Sequence, residues 1–112
     1  MRRGEVWWAD LPRPAGRRPV VLVSRDEACA VLSGITVAEV TSTVRGIRSE
    51  VPVGRQEGLR GRSVVNTDNL HTLPKRLLTE RIGRLGPAKL EALASAICYS
   101  LAIQTPEIDE RG

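Results

Sequence analysis

Short apolar runs separated by Gly and Pro dominate the first 85 residues of the chain. Residues 19–23 are continuously apolar and mostly β-branched, which predicts a central strand that is covered on both faces. Residues 5–11 predict a strand that places Val6 and Trp8 on one face and ends in a loop at residues 12–16. Residues 35–41 predict a third strand, in which Glu39 interrupts the alternation, so we expect a bulge or a strong twist there.

Four further segments are short enough to be strands. Residues 51–53 fit an edge strand, because Pro52 has no N–H to donate to a neighbouring strand. Residues 63–66, 73–78 and 82–85 predict three more strands. About six or seven short strands with Gly and Pro turns between them are typical of a small, strongly curved barrel.

The pattern changes once, near Pro87, to the spacing of an amphipathic helix. Pro87 suits the first helical position, and Leu85 can pack against Leu90 across the intervening glycine. Five positions predict the apolar face of this helix: Leu90, Leu93, Ala94, Ile97 and Leu101. The predicted fold class is therefore mainly β (α+β), a single domain over residues 1–104 closed by one C-terminal helix, with a frayed tail at residues 105–112.

Length and composition fit one ordinary domain, with 112 residues, 41% hydrophobic and 27% charged. Only 3% are aromatic and none is Phe, so we expect a core of Val, Leu, Ile and Ala. The charge is uneven, since residues 1–86 carry fifteen basic and nine acidic side chains. Fifteen of the seventeen basic residues are Arg, whose planar guanidinium pairs with phosphate. A phosphate-bearing partner and a GC-rich genome that encodes Arg in place of Lys both account for this bias.

Some residue types are too few to support whole classes of chemistry. Cys29 and Cys98 are too few and too far apart for a disulfide framework or a zinc site, so we expect buried thiols and no metal or other cofactor. His71 is the only histidine, which excludes a catalytic histidine pair within one chain. The apolar runs are far shorter than the ~20 residues of a membrane span, and Met1 leads into no apolar signal region, which predicts a cytoplasmic protein.

Two strand ends are candidates for phosphate chemistry. Arg18 stands where a loop enters the most apolar strand, and Pro19 favours extended geometry at the residue before it. Thr41 and Ser42 end the third predicted strand. Several arginines follow them: Arg45, Arg48, Arg55, Arg60 and Arg62. Hydroxyls beside arginines can hold a phosphate, although a Ser/Thr turn before a solvated basic loop has the same composition. We interpret His71 as a hydrogen-bonding residue of a turn or of the core.

In order and spacing, five segments together resemble one known family. They are residues 3–11 (RGEVWWADL), 18–24 (RPVVLVS), 37–42 (VAEVTS), 63–74 (SVVNTDNLHTLP) and 78–85 (LTERIGRL). The first three are similar to the family's opening strands and the last two to its closing strands. The family is MazF/PemK, the toxin endoribonucleases of bacterial toxin–antitoxin pairs, and the resemblance covers residues 2 to about 104.

The resemblance implies a homodimeric SH3-like barrel that cuts single-stranded RNA at short sequences without a metal, leaving a 2′,3′-cyclic phosphate and a 5′-hydroxyl. It places the family's catalytic arginine on Arg18 and its catalytic threonine on Thr41. Further residues are expected to contact RNA: Arg13, Arg17, Ser42, Arg45 and Arg48. Family members often carry Gly-Ser-Glu-Gln in the first loop, whereas residues 12–17 here contain no acid.

A second partner is implied by the same resemblance. A small antitoxin, MazE-like and with an acidic segment, is expected to cover the groove of the barrel and compete with RNA. The basic charge of residues 1–86 favours both partners. Trp7, Trp8 and His71 are candidates for the antitoxin surface or the dimer surface.

Cleavage to a cyclic phosphate needs a deprotonated 2′-hydroxyl, a stabilised phosphorane and a protonated 5′-oxygen. Arg18 suits stabilisation of the phosphorane, and Thr41 suits a hydrogen bond to a non-bridging oxygen, but an arginine is a poor base at neutral pH. The base stays open between water, a group of a partner chain and a transiently neutral Arg18. Two non-catalytic alternatives also stay open: a CcdB-like toxin of the same fold that binds DNA gyrase, and a basic module that binds RNA nonspecifically.

Overall fold

Six antiparallel strands form one sheet, curled into a half-barrel, in a computed structural model of the chain that describes residues 1–104. The strands are β1 (Glu5–Asp10), β2 (Arg17–Leu22), β3 (Gly34–Thr41), β4 (Glu50–Val53), β5 (Ser63–Pro74) and β6 (Leu78–Arg84). The helices are α1 (Asp26–Val31) and α2 (Pro87–Ser100). Across the sheet the order is β4-β5-β3-β2-β1-β6, so β2 is internal and β4 lies at an edge, both as predicted. The predicted curved β fold with a closing C-terminal helix is confirmed.

Strand β2 separates two apolar clusters, because its successive side chains point to opposite faces of the sheet. Val20, Val21 and Leu22 are all fully buried. The first cluster lies under α2 and contains Val6, Val21, Ala38, Val40, Val51, Val53, Val65, Leu85, Leu93 and Ala96. The second contains Ala9, Leu11, Val20, Leu22, Cys29, Ile35, Val37, Leu73 and Leu78. Strand β2 is therefore covered by apolar residues on both faces.

The irregularity predicted at Glu39 lies in the neighbouring strand β5 and not in β3, which pairs with β2 in unbroken register from Val37 to Glu39. Ala38 pairs with Leu70 of β5, whereas the next residue, Glu39, pairs with Asn66, so residues 67–69 have no partner in β3. Strand β5 bends at these three residues, and its two halves pair with different halves of β3. Glu39 therefore keeps the regular alternation of β3, on the face opposite to Ala38 and Val40, and the bulged residues of β5 lie beside it.

The bend of β5 is fixed from beneath by a buried threonine. Thr67 is fully buried, and its hydroxyl donates to the carbonyl oxygen of Ser49 at 2.6 Å and lies 3.2 Å from that of Ala96 in α2. The Ser100 hydroxyl in turn donates to the carbonyl oxygen of Thr67 at 3.2 Å. These contacts tie β5 to the closing helix, since buried polar groups need partners.

Two predictions for the second half of the chain are wrong in detail. Residues 63–66 and 73–78 do not form separate strands, because β5 runs unbroken through the polar residues 67–69 to Pro74. A 3-10 turn at Lys75–Leu77 then leads into β6, which starts at Leu78 and ends at Arg84. The short helix α1 was not predicted.

The closing helix begins at Pro87 as predicted and ends at Ser100. Leu93 and Ala96 are buried, and Leu90 and Ile97 pack against the same cluster that contains Leu85. Leu101 is exposed beyond the helix end, so its predicted place on the apolar face is wrong. The predicted frayed tail, residues 105–112, lies outside the described residues. Within residues 1–104, no helix is long and apolar enough to span a membrane.

Candidate active site

The start of β2, the end of β3 and the bulged middle of β5 surround a polar cavity of about 190 Å³. Its lining residues are Arg18 of β2, Glu39 and Thr41 of β3, Asn66 and Asn69 of β5, and Thr43 and Arg45 of the segment after β3. Strands β2, β3 and β5 are adjacent in the sheet, so side chains far apart in sequence meet here. The structure thus brings together Arg18, Thr41 and Arg45, which the sequence singled out separately.

Arg18 contacts strand β1, the first loop and strand β3. Its backbone pairs with Ala9 of β1, and its Nε–H donates to the carbonyl oxygen of Ala15 at 3.3 Å. The same Nε lies 3.7 Å from Oε1 of Glu39. The side chain stays 40% exposed, which leaves the guanidinium open to the cavity and to an anionic ligand.

Glu39 is the charged residue of the cavity that the sequence did not single out as a site residue, and Thr43, Asn66 and Asn69 are neutral lining residues that it also did not single out. Its side chain is only 11% exposed, and its two carboxylate oxygens face different partners. Oε1 faces Arg18, and Oε2 contacts Nε2 of His71 at 2.5 Å. A buried carboxylate needs such partners, because burial without them is costly. The signal in the sequence is the acid that stands between the apolar residues Ala38 and Val40, which the alternation pattern alone explains as an interruption of the strand.

Thr41 lies at the mouth of the cavity, at the end of β3. Its Oγ1 accepts a hydrogen bond from the backbone N–H of Thr43 at 3.1 Å, which leaves the hydroxyl hydrogen to donate to a ligand. The segment that follows is fixed by Glu50, whose Oε1 accepts the backbone N–H groups of Arg45 at 3.0 Å and Gly46 at 2.9 Å. The Glu50 carboxylate thereby holds the backbone that carries the Arg45 side chain to the cavity.

The other residues proposed to contact RNA lie outside this cavity. Arg13 is exposed in the first loop, and Ser42 is exposed beside Thr41 without lining the cavity. The Arg17 guanidinium stacks over the Trp8 ring at 4.6 Å. Arg48 stacks over Tyr99 at 4.4 Å, against the end of α2. Contact of these four residues with RNA stays a prediction.

The two tryptophans have different environments. Trp7 is half-buried against the second apolar cluster, and its indole N–H donates to Oε1 of Glu5 at 2.9 Å. Partial burial alone would raise the pKa of Glu5. The hydrogen bond from Trp7, a hydrogen bond with the backbone of Arg2 and the positive charge of Arg81 outweigh burial, so the pKa of Glu5 is lowered. The Trp8 ring stacks with the Arg17 guanidinium and belongs to neither apolar cluster.

The two cysteines are free, as expected. Burial raises the pKa of the Cys29 thiol, which keeps it protonated and unreactive. Cys98 is only partly buried, which corrects the prediction that both thiols are buried. Within residues 1–104, no group of three or more His, Cys, Asp or Glu side chains is arranged to hold a metal ion.

Comparisons with known proteins identify the family of this fold. A family model described as PemK-like, MazF-like toxin of type II toxin–antitoxin systems matches residues 2–101. The chain therefore belongs to the MazF/PemK toxin family. Among curated relatives, probable endoribonuclease MazF5 of Mycobacterium tuberculosis is 40% identical over 96 residues, which cover 85% of this chain and 87% of the relative.

Solved structures give the same result. The Mycobacterium tuberculosis toxin MazF-mt6 superposes with a TM-score of 0.84 at 37% identity, over 90% of this chain and 99% of that chain. A mycobacterial endoribonuclease in complex with its cognate antitoxin superposes with a TM-score of 0.83 at 29% identity, over 95% and 99%. The CcdB-like alternative is not supported by these comparisons.

Proposed function

We propose that the chain is a toxin endoribonuclease that cleaves single-stranded RNA at short sequence motifs and is inhibited by a cognate antitoxin. The observation that carries this proposal is the convergence of Arg18, Thr41 and Arg45 on one polar cavity in a member of the MazF/PemK family. Relatives named endoribonuclease at 40% identity support RNA cleavage. The proposed place of action is the cytoplasm, where RNA and antitoxin meet.

The proposed reaction is an intramolecular displacement in the RNA. The 2′-oxygen attacks the adjacent phosphorus, the bond from phosphorus to the 5′-oxygen breaks, and a 2′,3′-cyclic phosphate and a 5′-hydroxyl result. Arg18 neutralises the charge that develops on the phosphorane, and the Thr41 hydroxyl donates to a non-bridging oxygen. Arg45 adds a second positive charge at the mouth of the cavity and binds a neighbouring phosphate.

Two protein partners belong to the proposal. A MazE-like antitoxin is supported by the mycobacterial neighbour that is complexed with its cognate antitoxin. The basic charge of residues 1–86 attracts an acidic segment as well as RNA, so the two are expected to compete. A homodimer is supported by exposed apolar side chains on the β3–β4 loop and at and after the end of α2: Val44, Ile47, Tyr99, Leu101 and Ile103.

Cleavage of single-stranded RNA is expected to proceed undiminished in EDTA, because the proposed charge stabilisation comes from arginines. The purified protein is incubated with total RNA in EDTA or in Mg²⁺, and the 5′-hydroxyl ends are mapped by sequencing. Binding of RNA without new 5′-hydroxyl ends would instead favour the nonspecific RNA-binding module. Loss of cleavage in EDTA that Mg²⁺ or Mn²⁺ restores would contradict the metal-free reaction. Addition of the cognate antitoxin is expected to stop cleavage.

Thr41→Val is expected to lower kcat about fivefold to tenfold, since one neutral hydrogen bond contributes about 1 kcal/mol. Valine has nearly the shape of threonine, so the strand end is kept while the donor is lost. Thr79→Val is the matched control, because the Thr79 hydroxyl bonds the carbonyl oxygen of Trp8 on β1, outside the cavity. A loss in Thr41→Val larger than that in Arg18→Lys would reverse the ranking of the two residues.

A further inference from the structure

The cavity contains one carboxylate beside its arginines, that of Glu39. The first loop carries no acid, but β3 delivers one to within 3.7 Å of the Arg18 Nε. Because side chains alternate along β3, Glu39 points to the cavity while Ala38 and Val40 point into the first apolar cluster. A carboxylate is the strongest proton acceptor that the side chains lining this cavity offer at neutral pH, since arginine stays protonated there and Thr and Asn side chains are neutral.

His71 fixes the orientation of this carboxylate. An ionised carboxylate only accepts hydrogen bonds, so the hydrogen in the contact between His71 and Glu39 is on Nε2 of His71, which donates to Oε2. Oε1 is left on the side of Arg18 and the cavity. The two carboxylate oxygens therefore have different roles, since Oε2 holds the side chain in place and Oε1 faces the ligand.

We infer that Glu39 is the general base of the proposed cleavage reaction and that His71 is its positioning residue. The inference rests on the proposed function. Oε1 of Glu39 takes the proton of the 2′-hydroxyl as the 2′-oxygen forms its bond to phosphorus. The bond to the 5′-oxygen breaks, the 5′-oxygen takes a proton from solvent water, and the proton on Glu39 neutralises the hydroxide that remains. Charges and protons therefore balance over one turnover, and Arg18 stays protonated throughout.

The test is Glu39→Gln, which keeps the size of the side chain but removes the proton acceptor. Its kcat is expected to fall about 100-fold or more, with KM changed by less than about threefold. The substrate is an RNA oligonucleotide that contains a site mapped with the wild-type protein. Binding is measured with the same oligonucleotide methylated at the reacting 2′-oxygen. Glu91→Gln, an exposed acid of α2, is the matched control and is expected to cleave like wild type.

The pH dependence separates a base from a residue that merely holds Arg18. Without a base, hydroxide must form the 2′-oxyanion, so the rate of Glu39→Gln is expected to rise about tenfold per pH unit from about pH 6 to 8. The wild-type rate is expected to rise less steeply. The charged or titratable groups that face Glu39 are Arg18 from β2, His71 from β5 and Arg45 beyond the end of β3, and all three are kept in this variant.

Second variants keep the inference testable if Glu39→Gln does not fold. Glu39→Asp keeps a base and is expected to cleave more slowly than wild type, with the wild-type pH dependence. His71→Leu is expected to lower kcat about tenfold, and His71→Gln to restore most of it, because the glutamine amide can donate to Oε2.

The outcomes distinguish failure of the proposed function from failure of the inference about Glu39 alone. If the wild-type protein cuts no RNA, the proposed function fails and the inference fails with it. If the wild-type protein cuts RNA and Glu39→Gln cuts it within threefold of the wild-type rate, the inference alone fails. If Glu39→Gln cleaves RNA more slowly than wild type but with the wild-type pH dependence, the inference also fails, because Glu39 would then only hold Arg18 in place.

Discussion

Arg18→Ala is expected to lower kcat for RNA cleavage about 100-fold or more while the protein stays folded. Removal of one preorganised donor to a developing oxyanion typically costs about 2.7–4 kcal/mol of transition-state stabilisation. Arg18 also faces the Glu39 carboxylate, so alanine removes a counter-charge from the cavity as well. Folding is expected to survive, because the side chain is 40% exposed and the strand pairing of Arg18 with Ala9 is a backbone interaction. Single-turnover cleavage and a thermal melt measure the two effects separately.

Arg17→Ala is the matched control for this prediction. Arg17 is the adjacent residue on the same strand and carries the same charge, but it stacks over Trp8 and does not line the cavity. It is expected to reduce RNA affinity slightly and to leave kcat nearly unchanged. Arg18→Lys keeps the charge without the planar fork and is expected to recover only part of the activity. Equal losses in Arg17→Ala and Arg18→Ala would mean that general positive charge, and not the cavity, carries the effect.

The sequence predicts those elements whose formation depends on interactions between residues close together in the chain. The continuous apolar run of β2, the proline of the edge strand β4 and the helical spacing of α2 each specify one element by themselves. Helix α1 could not be found in this way, because it has six residues and no side-chain cap at its N-terminus. Its burial of Cys29 against the second apolar cluster is a tertiary contact that the local sequence does not reveal.

The unbroken course of β5 also depends on tertiary contacts. Asp68 and Asn69 are residue types that favour turns, and a turn at these positions would separate two strands. In the structure Thr67 is buried on the closing helix, and the two halves of β5 pair with β3 on either side of a bulge. Pairing partners that are about 30 residues away therefore override the local turn preference.

Individual residues of the candidate site could be predicted from the sequence, but their arrangement around one cavity could not. Arg18 and Thr41 were found from loop chemistry and from the resemblance to the family, whereas their meeting in one cavity depends on the order of β2, β3 and β5 in the sheet. In the sequence Glu39 is only a polar position in the apolar alternation, and its function depends on the contacts with Arg18 and His71 that the sheet creates. An acid within an apolar strand is thus a feature that merits a functional interpretation even without a motif around it.

Lys89→Met is expected to destabilise the protein by about 2–3 kcal/mol, because it leaves a buried carboxylate without its counter-charge. Glu57 is 3% exposed, and both of its carboxylate oxygens contact the Lys89 ammonium, at 3.0 and 2.9 Å. Its Oε1 also accepts the backbone N–H of Gly54 at 2.7 Å. Since the Lys89 side chain is 31% exposed, the loss is expected to be smaller than the ~3–5 kcal/mol typical of a fully buried pair. Thermal melts at one fixed protein concentration are expected to shift by about 10–20 °C.

A double variant separates the lost charge pair from lost packing. Adding Glu57→Gln to Lys89→Met removes the uncompensated charge but keeps an acceptor for the Gly54 N–H, so it is expected to recover at least about half of the lost stability. Lys75→Met alters the only other lysine of the chain and is expected to change stability by less than about 0.5 kcal/mol. If Lys89→Met melts like wild type, the ammonium contributes nothing to the pair; if the double variant melts no higher than Lys89→Met, the loss comes from packing of the lysine stem.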